Sequence, residues 1–70
     1  MTKQIFEILI HIANESYDGH LTIMKFTTNW RVGFGTPNDQ DQLKEMTYEG
    51  DFLAEAALKA IEHEVCKSKI

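Results

Sequence analysis

LTIMKFTTNWRVGFG, residues Leu21 to Gly35, decides the fold, because it is the one stretch with strand periodicity. In its second half the large side chains Trp30, Val32 and Phe34 alternate with Arg31, Gly33 and Gly35. That two-residue repeat marks a strand with one covered face. The first half, Leu21 to Phe26, is rich in residue types that strands prefer. Thr27-Thr28-Asn29 between the halves is turn-like. A two-residue turn would set Lys25 opposite Val32 and place a charge on the covered face. A three-residue turn closes through one residue in the left-handed region, which Asn tolerates. It sets Phe26 opposite Trp30, Met24 opposite Val32 and Thr22 opposite Phe34. Lys25 and Arg31 then share the other face. A one-residue slip would reverse the side every residue faces, so the three-residue turn is the expected one, with Trp30 sequestered between hairpin and helices.

Outward from the hairpin, Thr2 is placed to cap a helix over about residues 3–16. Ile5, Phe6, Ile8, Leu9, Ile10, Ile12 and Ala13 fill an arc of roughly 200° on it. So wide an arc exceeds what one sheet face covers, which predicts two neighbours: the hairpin, and either the last helix or a second subunit. Ser16-Tyr17-Asp18-Gly19 ends the helix. Residues 36–50 read as a loop, with Pro37 closing the preceding strand. Within it Leu43 and Met46 could tuck a short helical turn against the core, or Glu45 to Tyr48 could add a short edge strand. Asp51 caps a second long helix over about residues 51–67, with Gly50 permitting the bend into it. Alanines at positions 56, 57 and 60 lie at the centre of its apolar stripe, so something approaches closely, and the first helix is the obvious neighbour. Ser68, Lys69 and Ile70 are expected to fray. The expected fold class is α+β, in the order α-β-β-α: one domain spanning residues 1–70, an antiparallel hairpin at about residues 21–35 packed on one face by two helices.

Seventy residues sit near the size at which one core only just outweighs chain entropy. Cys66 is the single cysteine, so no disulfide framework is available, and a lone thiol fits a reducing compartment. The apolar run near the N-terminus is broken by Glu7 and His11 and does not read as a signal peptide. Nothing approaches the roughly 20 apolar residues of a membrane span. A cytoplasmic protein without a membrane partner is expected. Seven basic against eleven acidic residues give a net charge of −4. Residues 1–20 contribute −2, the hairpin +2 and residues 36–70 −4. An acidic chain is a poor general binder of nucleic acid, although one basic face could still serve.

The chain carries no nucleophile elbow, P-loop or GxGxxG motif. His63 and Cys66 stand three apart, close enough to share a metal, but His11, His20 or a carboxylate would have to complete the set without any recognised spacing. Gly33-Phe34-Gly35-Thr36 lacks the downstream Lys-Ser/Thr of a phosphate cradle. Asp39, Asp41, Glu45 and Glu49 read as solvated loop acids rather than a paired-carboxylate site. No enzyme, cofactor or metal is expected. The outer hairpin face is the expected partner-binding surface, made of Leu21, Ile23, Lys25, Arg31, Gly33 and Gly35. Two apolar residues over two glycines would form a shallow patch rimmed by cations, and glycine within a strand marks close approach of another backbone.

The run Phe26 to Pro37, FTTNWRVGFGTP, followed by Gly50-Asp51-Phe52-Leu53-Ala54-Glu55-Ala56, resembles small phage or prophage proteins. Those pair a Trp-(Arg/Lys)-Val-x-Phe-Gly hairpin with a Gly-x-x-Leu-x-Glu-Ala helix, and often carry Thr-Leu or Ser-Leu where this chain has Asp51-Phe52. The likeness covers about half the chain and implies no activity or functional residue. Together these features lead to the expectation of a non-enzymatic protein-interaction module: a homodimer, or a phage-type inhibitor or accessory factor aimed at a host protein complex. The alternative from another class is a nucleic-acid binder using Lys25 and Arg31.

Overall fold

The computed structural model describes residues 2–67, so the expected fraying of Ser68, Lys69 and Ile70 lies outside the described residues. Six elements follow in order: α1 (Lys3–Ser16), β1 (Leu21–Lys25), β2 (Trp30–Phe34), α2 (Gln40–Met46), β3 (Thr47–Gly50) and α3 (Leu53–Lys67). The fold is α+β, an antiparallel sheet in the order β1-β2-β3 with α1 and α3 on one face. As the sequence predicts, Thr2 caps α1, its hydroxyl accepting from the Ile5 N–H at 3.2 Å. α3 begins at Leu53, later than the expected start near residue 51, and the Phe52 carbonyl, accepting from the Ala56 N–H at 3.2 Å, makes Phe52 rather than Asp51 the residue that opens the helix.

The hairpin closes one residue earlier than the three-residue turn requires. Phe26 N–H donates to the Asn29 carbonyl at 2.8 Å, so Thr27-Thr28 forms the tip. Leu21 then lies opposite Phe34, Ile23 opposite Val32, Met24 opposite Arg31 and Lys25 opposite Trp30. This register turns Leu21, Ile23 and Lys25 to the same face as Trp30, Val32 and Phe34, and leaves Thr22 and Met24 with Arg31 and Gly33 on the other. Leu21 and Ile23 take the places expected for Met24 and Phe26 on the covered face, and Lys25 avoids burial there because it ends the strand. Its ammonium donates to the Phe26 carbonyl and stands 5.6 Å from the centre of the Trp30 ring. Trp30, Val32 and Phe34 do face the helices as the alternation predicts, Val32 and Phe34 fully buried and Trp30 half-buried.

The segment read as a loop contains both of its minor alternatives. Asp39 caps α2, its carboxylate accepting from the Gln42 N–H at 2.8 Å, while the Gln42 side chain accepts from the Asn38 N–H at 2.8 Å. β3 then pairs antiparallel with β2, Trp30 opposite Gly50 and Val32 opposite Tyr48. Gly33 makes this crossing feasible: a Cβ there would stand 2.1 Å from the Met46 carbonyl oxygen. The close backbone approach that a strand glycine signals is therefore internal. At the far end of β3 a Cβ on Gly50 would lie 2.6 Å from the Ala56 nitrogen. The alanine-lined side of α3 thus sits down on the sheet, not primarily against α1. Ala56, Ala57 and Ala60 join Leu9, Ala13, Val32 and Phe34 in the buried core.

Candidate interaction surface

The six residues expected to form one patch do not share a face. Leu21, Ile23 and Lys25 stand on the helix-covered side along the outer strand, Leu21 packed against the core and Ile23 36% exposed. Arg31 and Gly33 lie on the opposite side. Gly35 lies beyond β2 at φ 87°. Arg31 is engaged within the sheet. Its Nε donates to the Thr47 hydroxyl at 3.0 Å and its Nη1 meets the Glu49 carboxylate at 3.1 Å. With Lys25 and Arg31 on opposite faces, the basic face of the nucleic-acid alternative is not formed.

What the hairpin reading missed is an apolar surface on the helical layer. Residues advance clockwise by about 100° along a right-handed helix viewed from its N-terminus. Leu9 and Ala13 point α1 at the sheet, and the short connection over residues 17–20 returns the chain antiparallel as β1. With that hand, Phe6 and Ile10 fall on the flank above the free edge of β1, at 42% and 39% exposed. Ile8 falls on the flank toward α3, where Leu58 and Val65 are also exposed by the same phase argument. The signal was present in the sequence as the 200° arc of α1, only part of which the sheet and α3 cover.

A cavity of about 250 Å³ at the end of the helical layer is lined by Tyr17, Phe34, Glu45, Met46, Tyr48, His63, Glu64 and Lys67. Tyr17 stacks on Phe34 with ring centres 5.3 Å apart and donates its hydroxyl proton to the Glu64 carboxylate. Burial, then the hydrogen bond and the charge of Glu64, push the Tyr17 phenol up to about 12. Burial and Glu64 raise that of Tyr48 as well. Both phenols therefore hold their protons at neutral pH, Tyr17 as a donor to Glu64 and Tyr48 as a packing group. His63 lies against the Tyr48 ring, centres 5.1 Å apart, and His20 meets the Thr36 hydroxyl at 3.2 Å. Cys66 is exposed, and among the described residues no group of three or more His, Cys, Asp or Glu is disposed to hold a metal. Two of the four loop acids have structural partners, Asp39 as the α2 cap and Glu49 on Arg31. On the second face of the sheet, a shallow cavity of about 470 Å³ opens between Thr22, Met24, Pro37 and Leu43.

No described helix is long and apolar enough to cross a membrane. No family model matches the chain, and no curated protein or solved structure matches it.

Proposed function

We propose that this protein is a non-enzymatic interaction module, acting by protein–protein contact through the exposed apolar surface of α1 and the adjoining edge of β1. The observation that carries this reading is the exposure of Phe6, Ile8 and Ile10 on a single helix of a 70-residue chain. Scattered single hydrophobes on a surface need no explanation, but Phe6 and Ile10 stand about one turn apart on the flank beside the open edge of β1, and Ile8 shares the other flank with Leu58 and Val65. Burying a side chain of this kind contributes about 1.5–3 kcal/mol, so a partner has ample driving force to use. The role of a phage-type inhibitor or accessory factor is supported by the hairpin-and-helix motif alone.

Site-specific photo-crosslinking in cells tests the proposal. A crosslinking residue at Phe6 or Ile10 should give covalent adducts, whether with the chain itself or with another protein. The same residue at Met24 or Glu49, on or beside the second face, should give few. Adducts from the second face alone would overturn the reading.

A further inference from the structure

We propose that the occupant of the β1 side is a second copy of this chain. β1 pairs antiparallel with β1 of the partner subunit about a two-fold axis at Ile23, giving one six-stranded sheet and apposing the outward flanks of the two α1 helices. This rests on the interaction reading above and names its partner.

The main chain supplies the first argument. Gly35 N–H donates to the His20 carbonyl at 2.9 Å and Phe26 N–H to the Asn29 carbonyl at 2.8 Å. Strand residues alternate in the direction of their polar groups, so Thr22 and Met24 also turn theirs toward β2. Leu21, Ile23 and Lys25 turn theirs to the free edge, and among the described residues no hydrogen bond reaches those groups. Antiparallel pairing about Ile23 uses all of them: Ile23 meets Ile23 of the partner subunit, and Leu21 meets Lys25 of the partner subunit. Six main-chain hydrogen bonds form. Lys25 is the one charge on the strand, and charged edge residues commonly deter such pairing. Here its ammonium is drawn back to the Phe26 carbonyl and over Trp30, leaving residues 21–24 unguarded.

The helix supplies the second. α1 runs antiparallel to β1, so a two-fold axis at Ile23 also sets the α1 helices antiparallel, and the flank it brings together is the one bearing Phe6 and Ile10. The edge and the flank that lack cover are thus on the same side of the molecule, and one symmetry operation satisfies both. Charge agrees. The chain carries −4 overall, but this side carries Lys3 and Lys25 against Glu7, with Lys3 and Glu7 paired at 3.9 Å. Two acidic chains meet where neither is acidic.

Area sets the strength. A helix of 14 residues is about 21 Å long, and a sheet-plus-helix flank is about 20 Å high. That gives on the order of 450 Å² per copy and about 900 Å² in all, close to the roughly 1,000 Å² at which stable interfaces begin. An interface of this size falls in the weak, reversible class, and a dissociation constant on the order of 10–100 µM is expected.

Analytical ultracentrifugation of the full chain tests this. Monomer should dominate at about 5 µM and dimer at about 500 µM. Ile23→Pro removes an outward N–H along with the part-covered Ile23 side chain, whereas Phe6→Glu and Ile10→Glu touch only the flank. Each should weaken the dimer at least about tenfold, with circular dichroism at about 5 µM confirming the fold. Ile8→Glu and Leu58→Glu, on the other side of α1, should shift it less than about twofold. If Ile23→Pro does not fold, the two helix variants decide alone. A strict monomer at about 500 µM overturns the dimer, as does a dimer broken by Ile8→Glu and Leu58→Glu but not by Phe6→Glu and Ile10→Glu. The two failures are separable: a strict monomer that still crosslinks a foreign protein from Ile10 loses the dimer but keeps the interaction reading.

Discussion

Along β3 each outward-facing residue has one main-chain group in use: the Thr47 N–H donates to the Leu43 carbonyl at the end of α2, and the Glu49 carbonyl accepts from the Lys59 ammonium at 2.7 Å. Along β1 the corresponding groups of Leu21, Ile23 and Lys25 have no such cover among the described residues. One sheet therefore has an edge closed by its own chain and an edge left open, and the open one lies below the exposed apolar flank of α1. Proteins this small ordinarily block both edges by short strands, lysines or covering elements. The asymmetry teaches that protection was available within this fold and was applied to one side only.

The sharpest way to break the comparison is to detach β3. In Gly33→Ala the added methyl would stand 2.1 Å from the Met46 carbonyl oxygen and 2.8 Å from the Thr47 Cα. Backbone cannot yield as a side-chain tip would, so the crossing from α2 to β3 must move. The expected cost is about 3 kcal/mol, a large share of the roughly 4–10 kcal/mol that a chain of this length carries. Urea denaturation should show it. A change under about 1 kcal/mol would mean that β3 is held by something other than its seat on Gly33.

That seat also explains what was legible in the sequence and what was not. The alternation Trp30-Val32-Phe34 and the wide arc of α1 are long, periodic signals, and both emerge in the structure on the faces they imply. β3 is four residues long and α2 seven, too short for periodicity to speak. Only Asp39 followed three residues later by Gln42 marked the start of α2, as a variant of the capping box. The hairpin register failed for a different reason. Excluding Lys25 from the covered face ignored that a strand-end lysine can carry its charge off the face along a long apolar stem. The resulting one-residue error reversed β1, and with it half of the expected patch. The surface that now looks most usable was implied by the surplus width of the α1 arc.

Arg31 offers a milder probe, because it ties β2 to β3 from the second face. Arg31→Ala removes the bond to the Thr47 hydroxyl and the ion pair with Glu49, while Arg31 itself is largely shielded from water. A loss of about 1–2 kcal/mol is expected. Dimerisation should be unchanged, since neither β1 nor the α1 flank is touched. A dimer weakened by Arg31→Ala would place the contact on the second face and dissolve the contrast between the edges.

The helical layer is clamped by Tyr17, which ends α1 and reaches Glu64 on α3. Its phenol is pushed from 10.0 up to about 12 in the folded chain. Between those values the folded state binds more protons than the unfolded one, so stability falls as pH rises. The contribution is complete below pH 10 and lost as pH passes through 12. Stability measured from pH 9 to 12 should decline accordingly, and Tyr17→Phe should flatten that decline while lowering stability at neutral pH. Equal slopes in the two proteins would show that Tyr17 is not the group responsible.

Lys59→Met should cost least and say most about the closed edge. Lys59 also pairs with Glu55 at 3.4 Å, with both side chains about half exposed, so the stability change should be about 0.5 kcal/mol or less. The effect of interest is on association. With the ammonium gone, the Glu49 carbonyl is freed on a strand whose outward face is otherwise covered only at Thr47. If Lys59 is what closes this edge, the variant should form species larger than a dimer in sedimentation velocity at about 500 µM, because two open edges on one chain permit growth that a single two-fold contact does not. If the variant stops at the dimer, closure resides in the α2 crossing at Thr47 and in the shortness of β3, and Lys59 only decorates an edge already shut.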